Sequence, residues 1–178
     1  MIASDIHGSE KYCKMLVCRF KEENADRLLL LGDILYHGPR NDLPECYSPK
    51  DVIALLNELS DKILCVRGNC DAEVDSMVLN FPLSADYAYV FVDGVSIFAS
   101  HGHIFNEEKL PPLKNGDILL NGHTHVPKCT KHNGYTYMNC GSVSIPKEDS
   151  PHSYMTLQDG VFVWKDLVSG EEYMNAEA

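Results

Sequence analysis

The sequence predicts one α/β domain in which mixed sheets pack face to face with helices outside, and three observations carry that reading. Apolar runs alternate with amphipathic helical stretches over residues 1–69. Beyond them the period shortens, and Xaa-Gly pairs split strand-like runs. Five apolar runs stop at a glycine-associated Asp, Asn or His, so chemistry-bearing side chains gather where strands end.

Met1 to Ser4 read as the end of a short first strand. Ser9 is placed to cap a helix through about Glu23, with Tyr12, Met15, Leu16 and Phe20 as its apolar stripe. RLLLLGD, 27–33, is a continuous apolar run closed by Gly-Asp, as a central parallel strand requires. Ser48-Pro49 opens a second helix through about Leu59. KILCVRGN, 62–69, repeats the pattern of an apolar strand ending in a glycine loop and completes βαβαβ. In the second part Asp93-Gly94, Asn133-Gly134 and Asp159-Gly160 predict three tight hairpins. ILLNGHTH, 118–125, is again an apolar run into a polar loop, and YHGPRNDLPECY, 36–47, is a long Gly/Pro loop of the sort that covers a site. No internal repeat or linker interrupts the chain, so 1–178 reads as a single domain.

The chain is 44% hydrophobic, enough for one full core, and its net charge is 15 − 26 = −11. That surface repels nucleic acid and anionic membrane, so neither extended nucleic acid nor a membrane is expected as a partner. An anionic substrate needs the field reversed locally, and bound metal does this. No run approaches the roughly 20 apolar residues that span a bilayer. The start, MIASDIHGSE, lacks the basic and apolar regions of a signal peptide. Seven cysteines without regular spacing suggest reduced thiols and a cytoplasmic setting. Cys13 and Cys18 lie about 140° apart around their helix, a poor arrangement for sharing a metal.

Asp5 and His7 follow the first strand, Gly32-Asp33 the second, and Gly68-Asn69 with Asp71 the third. His101 and His103 follow VSIFAS, and His123 and His125 follow ILLN. Each fragment alone is weak, because Asp-x-His occurs by chance and Gly-Asp is often only a turn. Five strand ends converging on one crevice are a different matter. Two carboxylates, one amide oxygen and four imidazoles are too many donors for one first-row ion and suit two ions sharing a carboxylate. With no thiolate needed, Mn²⁺, Fe²⁺ or Zn²⁺ is favoured. Two cations roughly 3.5–4 Å apart clamp a phosphoryl group for in-line displacement and generate hydroxide from bound water.

In this order D-x-H, G-D, G-N-x-D, H-G-H and G-H-x-H resemble the calcineurin-like metallophosphoesterase superfamily. HGPRNDLPE at 37–45, GNCD at 68–71 and GSVSIPK at 141–147 are similar to its branch of small bacterial phosphodiesterases of the YfcE type. The resemblance implies a metallophosphoesterase-like β-sandwich of two mixed sheets flanked by helices, in αββα layers. It implies one divalent ion on Asp5, His7, Asp33 and His125 and a second on Asp33, Asn69, His101 and His123, with Asp33 as the bridge. Mn²⁺ leads, and Fe²⁺, Zn²⁺, Ni²⁺ or Co²⁺ also suit these donors. Asn69 and His101 are expected to steady charge on the phosphate, and Asp71 to orient a ligand or a nearby His from behind. His103 is not expected to bind metal.

Cys70 stands where many members of the superfamily have an acid His. A thiol donates a proton weakly and carries no positive charge at neutral pH. The expectation is therefore a phosphodiesterase that favours good leaving groups, or leaves the leaving-group proton to water or another residue. Cys140, in NCGS, replaces a usual proline in a loop expected to back the site. Arg40 and His37 are candidate substrate contacts, and Arg67 could pair with Asp71 or with phosphate. The alternatives are a phosphomonoesterase or phosphatase of the same superfamily, or a protein-interaction scaffold like the retromer subunit with this fold. A nuclease is disfavoured by the short acidic chain. A homo-oligomer is also an expectation, with hairpins such as 87–99 able to pair across a dimer.

Overall fold

The computed structural model describes residues 1–178. The first strand, β1 (Ile2–Ala3), leads into α1 (Glu10–Glu22), then β2 (Leu28–Leu30), α2 (Pro49–Asn57) and β3 (Ile63–Cys65). Eight further strands follow: β4 (Tyr87–Val92), β5 (Val95–Ser100), β6 (Asp117–Asn121), β7 (Lys128–Lys131), β8 (Tyr135–Asn139), β9 (Ser153–Gln158), β10 (Val161–Asp166) and β11 (Glu172–Glu177). They form a six-stranded sheet in the order β11-β10-β9-β1-β2-β3 and a five-stranded sheet in the order β4-β5-β6-β8-β7. Both are mixed: β1, β2 and β3 run parallel, as do β5, β6 and β8, with antiparallel strands outside them.

The alternation in LLLL decides what each sheet face touches. Leu28 and Leu30 join the core beneath α1 and α2, beside Leu16, Phe20, Val52 and Leu56. Leu29 and Leu31 point the other way, into the layer between the sheets with Ile97, Ile118, Leu120 and Met138. A strand buried on both faces must be apolar throughout, which is why the run is unbroken. Two mixed sheets flanked by helices is the predicted architecture. Both helices lie on the six-stranded sheet. The outer face of the other sheet carries Phe98, Leu119 and Tyr137, packed against Phe105 and Leu113 of the segment after β5.

Ser9 caps α1 by accepting from the Tyr12 N–H, and Tyr12, Leu16 and Phe20 are buried as the stripe requires. Ser48 spends its hydroxyl on Asp51 rather than on the backbone of α2. The Asp93-Gly94 and Asp159-Gly160 hairpins have both central residues in the left-handed region, as two-residue primed turns demand. Asn133-Gly134 also turns in two residues, with the His132 N–H donating to the Tyr135 carbonyl at 2.9 Å, but only Gly134 is left-handed. β11 was not foreseen: EYMNAE lacks β-branched residues, and its place is set by pairing with β10. No helix is long and apolar enough to cross a membrane.

Candidate metal centre

The ends of β1, β2, β3, β5 and β6 bring Asp5, His7, Asp33, Asn69, His101, His123 and His125 to one place. Around Asp5, its Oδ1 lies 3.2 Å from His125 Nε2 and 3.4 Å from His7 Nε2, and the two imidazole nitrogens are 3.3 Å apart. Around Asp33, its Oδ2 lies 3.4 Å from His101 Nε2 and 3.7 Å from His7 Nε2. His101 Nε2 is in turn 3.1 Å from both Asn69 Oδ1 and His123 Nδ1. Asp33 therefore touches both groups.

Each of three rings is held by its far nitrogen. His7 Nδ1 donates to the Tyr36 carbonyl, His101 Nδ1 to Leu31 and His125 Nδ1 to Ile145, at 2.8, 2.7 and 2.6 Å. A neutral imidazole that donates at Nδ1 keeps a lone pair at Nε2, and all three lone pairs face inward. Asp5 Oδ1, fully buried, has no hydrogen-bond partner. Lone pairs and a carboxylate oxygen crowded together without donors fit cations, not one another.

The electrostatics point the same way. Burial opposes ionisation of Asp5, but His125 and His7 override it and hold the carboxyl well below its usual range. Asp33 is also lowered, against burial, by His101. Burial would lower His101, yet Asp33 and Asp5 raise it to about 9. Burial and the neighbouring His101 charge drive His123 down to about 4. Without metal the Asp33 and Asp5 charges thus favour a second proton on His101, at Nε2, and a cation bound there would take that proton's place on the lone pair.

The backbone holds this set in costly conformations. Asp5, His7, Asp33, His123 and His125 have φ of 59, 49, 55, 66 and 64°. Left-handed backbone costs a non-glycine residue on the order of 1 kcal/mol or more, and it persists where surroundings over-determine it. Asp5 N–H donates to Gly32 O and His7 N–H to Asp33 O, while Ser142 and Ser144 hydroxyls donate to the Asp5 carbonyl. Gly68 is required by space: a Cβ there would meet Asp33 Oδ1 and the Asp33 nitrogen.

Asp71 acts on backbone and leaves every imidazole alone. Its Oδ2 accepts from Asp33 N–H at 2.8 Å and Gly68 N–H at 2.7 Å, and Oδ1 accepts from Ile34 N–H at 2.8 Å. It ties the loops after β2 and β3 together, and so orients Asp33 rather than a His. Arg67 pairs with Asp86 at 2.7 Å, not with Asp71. Cys70 N–H donates to Asp33 Oδ1 at 2.7 Å, and its sulfur accepts from Asn69 Nδ2 at 3.1 Å. Burial, then the Asp33 charge, pushes the thiol up to about 12. His103 stands 5.4 Å from His101 and 6.2 Å from His123, centroid to centroid, with its Nδ1 unpartnered. His37 meets Tyr36 and Tyr47 edge-on, and Arg40 is exposed on the same 36–47 segment, whose Tyr36 carbonyl fixes His7. The NCGS loop does back the site, through Ser142 rather than the buried Cys140. Ser142, Ser144 and the Leu31, Tyr36 and Ile145 carbonyls carry no motif, and only the folded chain reveals them.

Comparison with known proteins places the arrangement. Phosphodiesterase YfcE of Escherichia coli (strain K12) is 46% identical over 161 residues, 90% of this chain and 88% of that protein. A solved structure of YfcE, a phosphoesterase from E. coli, superposes with a TM-score of 0.96 at 42% identity, covering 99% of this chain and 97% of that one. Wild-type Vps29 of Entamoeba histolytica complexed with Zn²⁺ shares the fold alone, with a TM-score of 0.60 at 15% identity over 99% and 97% of the two chains. The profile of the calcineurin-like phosphoesterase superfamily domain matches residues 1–159, and the chain belongs to that superfamily.

Proposed function

We propose that this protein is a metal-dependent phosphodiesterase that hydrolyses a small phosphodiester, using two divalent cations, Mn²⁺ foremost, that share Asp33. The observation that carries the reading is the pair of donor groups joined at Asp33, with the Nε2 lone pairs of His7, His101 and His125 turned inward. Asp5, His7, Asp33 and His125 would hold one cation, and Asp33, Asn69, His101 and His123 the other. When bound, the pair neutralises phosphate oxygens and supplies a hydroxide nucleophile for in-line attack at phosphorus.

The chain's own groups divide the remaining work. Asn69 has one amide N–H on the Cys70 sulfur, which leaves the other for a phosphate oxygen. Asp71 fixes Asp33 through three backbone N–H groups, so the bridging carboxylate does not reorganise as charge develops. Cys70 stays a neutral thiol and is neither nucleophile nor strong acid. Esters whose leaving group needs no proton are therefore the preferred substrates. The free state of all seven cysteines fits a reducing, cytoplasmic setting.

The test is hydrolysis of a chromogenic aryl phosphodiester against its monoester, by protein stripped of metal and reloaded with Mn²⁺. Metal-dependent turnover of the diester over the monoester supports the proposal. Preference for the monoester would make the protein a phosphomonoesterase, and metal binding without turnover of either ester would make it a scaffold.

A further inference from the structure

Two segments that meet at Cys70 leave apolar side chains in water. Tyr36 and Leu43 are exposed on 36–47, and Val74, Met77 and Val78 on 71–78. Gly38 brings the first segment to the thiol, since a Cβ there would lie 2.9 Å from Cys70 Sγ. The sulfur is itself within 4.8 Å of ligand atoms of His7 and Asp33. Tyr36 stands at the other side of His7, through the carbonyl that accepts from its Nδ1. The stretch from Tyr36 to Gly38 therefore runs along the rim of the metal centre, and 71–78 continues that rim from Cys70.

The Tyr36 ring is held from behind. It meets His37 edge-on with centroids 4.7 Å apart, and His37 meets Tyr47 edge-on at 5.3 Å. Tyr47 is seated on Gly8, where a Cβ would run into its ring, and the Asn41 amide donates to the His37 carbonyl. His37 and Tyr47 are half-buried, whereas Tyr36 is 43% exposed and is the ring of this row that faces water. A ring braced in this way loses little freedom when another stacks on it. Charge narrows what can approach. Arg40 is the only basic residue over 36–47 and 71–78, against five acidic ones.

We propose that one ester arm of the substrate is an uncharged aromatic ring stacked on Tyr36, beside Gly38 and the Cys70 sulfur, and that Tyr36 selects it. The inference rests on the phosphodiester reading of the metal centre and names an arm which that reading leaves open. Acids on both segments repel a second phosphate or a carboxylate on the arm. The exposed apolar side chains favour a ring over a polar group, and the uncharged sulfur is a soft neighbour for an aromatic edge. The chemistry of Cys70 agrees with such an arm. Breaking its P–O bond releases an aryloxide that keeps the electron pair, and an aryloxide needs no proton from a neutral thiol.

The experiment is calorimetric titration of the Mn²⁺-loaded full chain with two inert mimics. Methyl benzylphosphonate carries a ring joined to phosphorus through carbon, and methyl propylphosphonate carries an aliphatic chain in its place. Wild type is expected to bind the aromatic mimic roughly tenfold more tightly. Tyr36→Ala should bring the two affinities within about threefold, and Tyr36→Phe should keep the preference. Tyr36→Leu keeps apolar bulk at the position, so a preference lost there too belongs to the ring and not to the fold. Equal affinity for the two mimics in wild type overturns the proposal and leaves the phosphoester site standing. A preference that survives in folded Tyr36→Ala and Tyr36→Leu does the same. If the loaded chain binds neither mimic, the phosphodiester reading falls and takes the subsite with it.

Discussion

Left-handed backbone occurs at both ends of the sandwich, and different sequences adopt it. At the hairpin end Asp93-Gly94 and Asp159-Gly160 place an exposed Asp and a glycine in turns that the following glycine makes easy. At the metal end the same region is occupied by buried Asp5, His7, Asp33 and His125, with His123 half-buried, none of them glycine. The first end is local chemistry, repeated wherever a chain must reverse. The second is held by distant partners: Gly32 O for Asp5, the Tyr36 carbonyl for His7, and Asp71 for Asp33. Strain, buried charge and an unpartnered Asp5 oxygen coincide there because a fold optimised for stability alone would not keep them.

The largest expected effect lies at the bridge. Asp33→Asn removes the charge that both donor groups share, and metal-dependent turnover should fall by more than the roughly 100-fold expected for residues behind the ligands. Steady-state kinetics on the aryl diester read this, and a loss below tenfold would break the comparison. Gly68→Ala and Gly94→Ala form the next contrast. A Cβ at Gly68 runs into Asp33, whereas one at Gly94 meets nothing within 4 Å. Gly68→Ala is expected to lose metal affinity along with stability. Gly94→Ala should cost only about 1–2 kcal/mol for its left-handed backbone, with activity unchanged. Urea unfolding and metal titration of both variants separate the two.

Asp71→Asn should weaken metal binding roughly 10–100-fold while seven intact donors remain. The loss comes through the three N–H groups that one amide cannot serve as a carboxylate does. Calorimetric titration with Mn²⁺ measures it.

The smallest effect is a pH dependence confined to the metal end. His101 is raised from 6.5 to about 9, so its contribution to the metal-free protein is fully present below about pH 6.5 and lost as pH rises through 9. Asp5 and Asp33 are lowered, so theirs is present above about pH 3.8 and lost as pH falls further. His123 is lowered to about 4, so its contribution is lost as pH falls below about 6.5. Stability of the stripped protein should thus peak near pH 6.5 and decline toward pH 9, and Mn²⁺ should abolish the alkaline decline. Thermal melts across pH, with and without metal, show whether it does.

The loops after β1, β2, β3, β5 and β6 were legible in the sequence because an apolar run that stops at Gly-Asp, Gly-Asn or Gly-His marks both the strand and its end. The helices were legible from Ser9, Ser48-Pro49 and their periodicity. β11 was not, since Glu172 to Glu177 become a strand only because β10 offers an edge. Nor was the work of Asp71: its spacing from Asn69 places it near the site, but its three N–H partners, two of them on the loop after β2, exist only after folding. Arg67 found Asp86, 19 residues away, for the same reason.

Electron paramagnetic resonance of the Mn²⁺-reloaded protein, with metal content measured on the same sample, tests the central claim most directly. Two cations sharing Asp33 predict two Mn²⁺ per chain with an exchange-coupled spectrum, replaced in Asp33→Asn by an uncoupled signal or by loss of metal. One Mn²⁺ per chain, or two magnetically isolated ions in the wild type, would contradict the shared carboxylate and the account built on it.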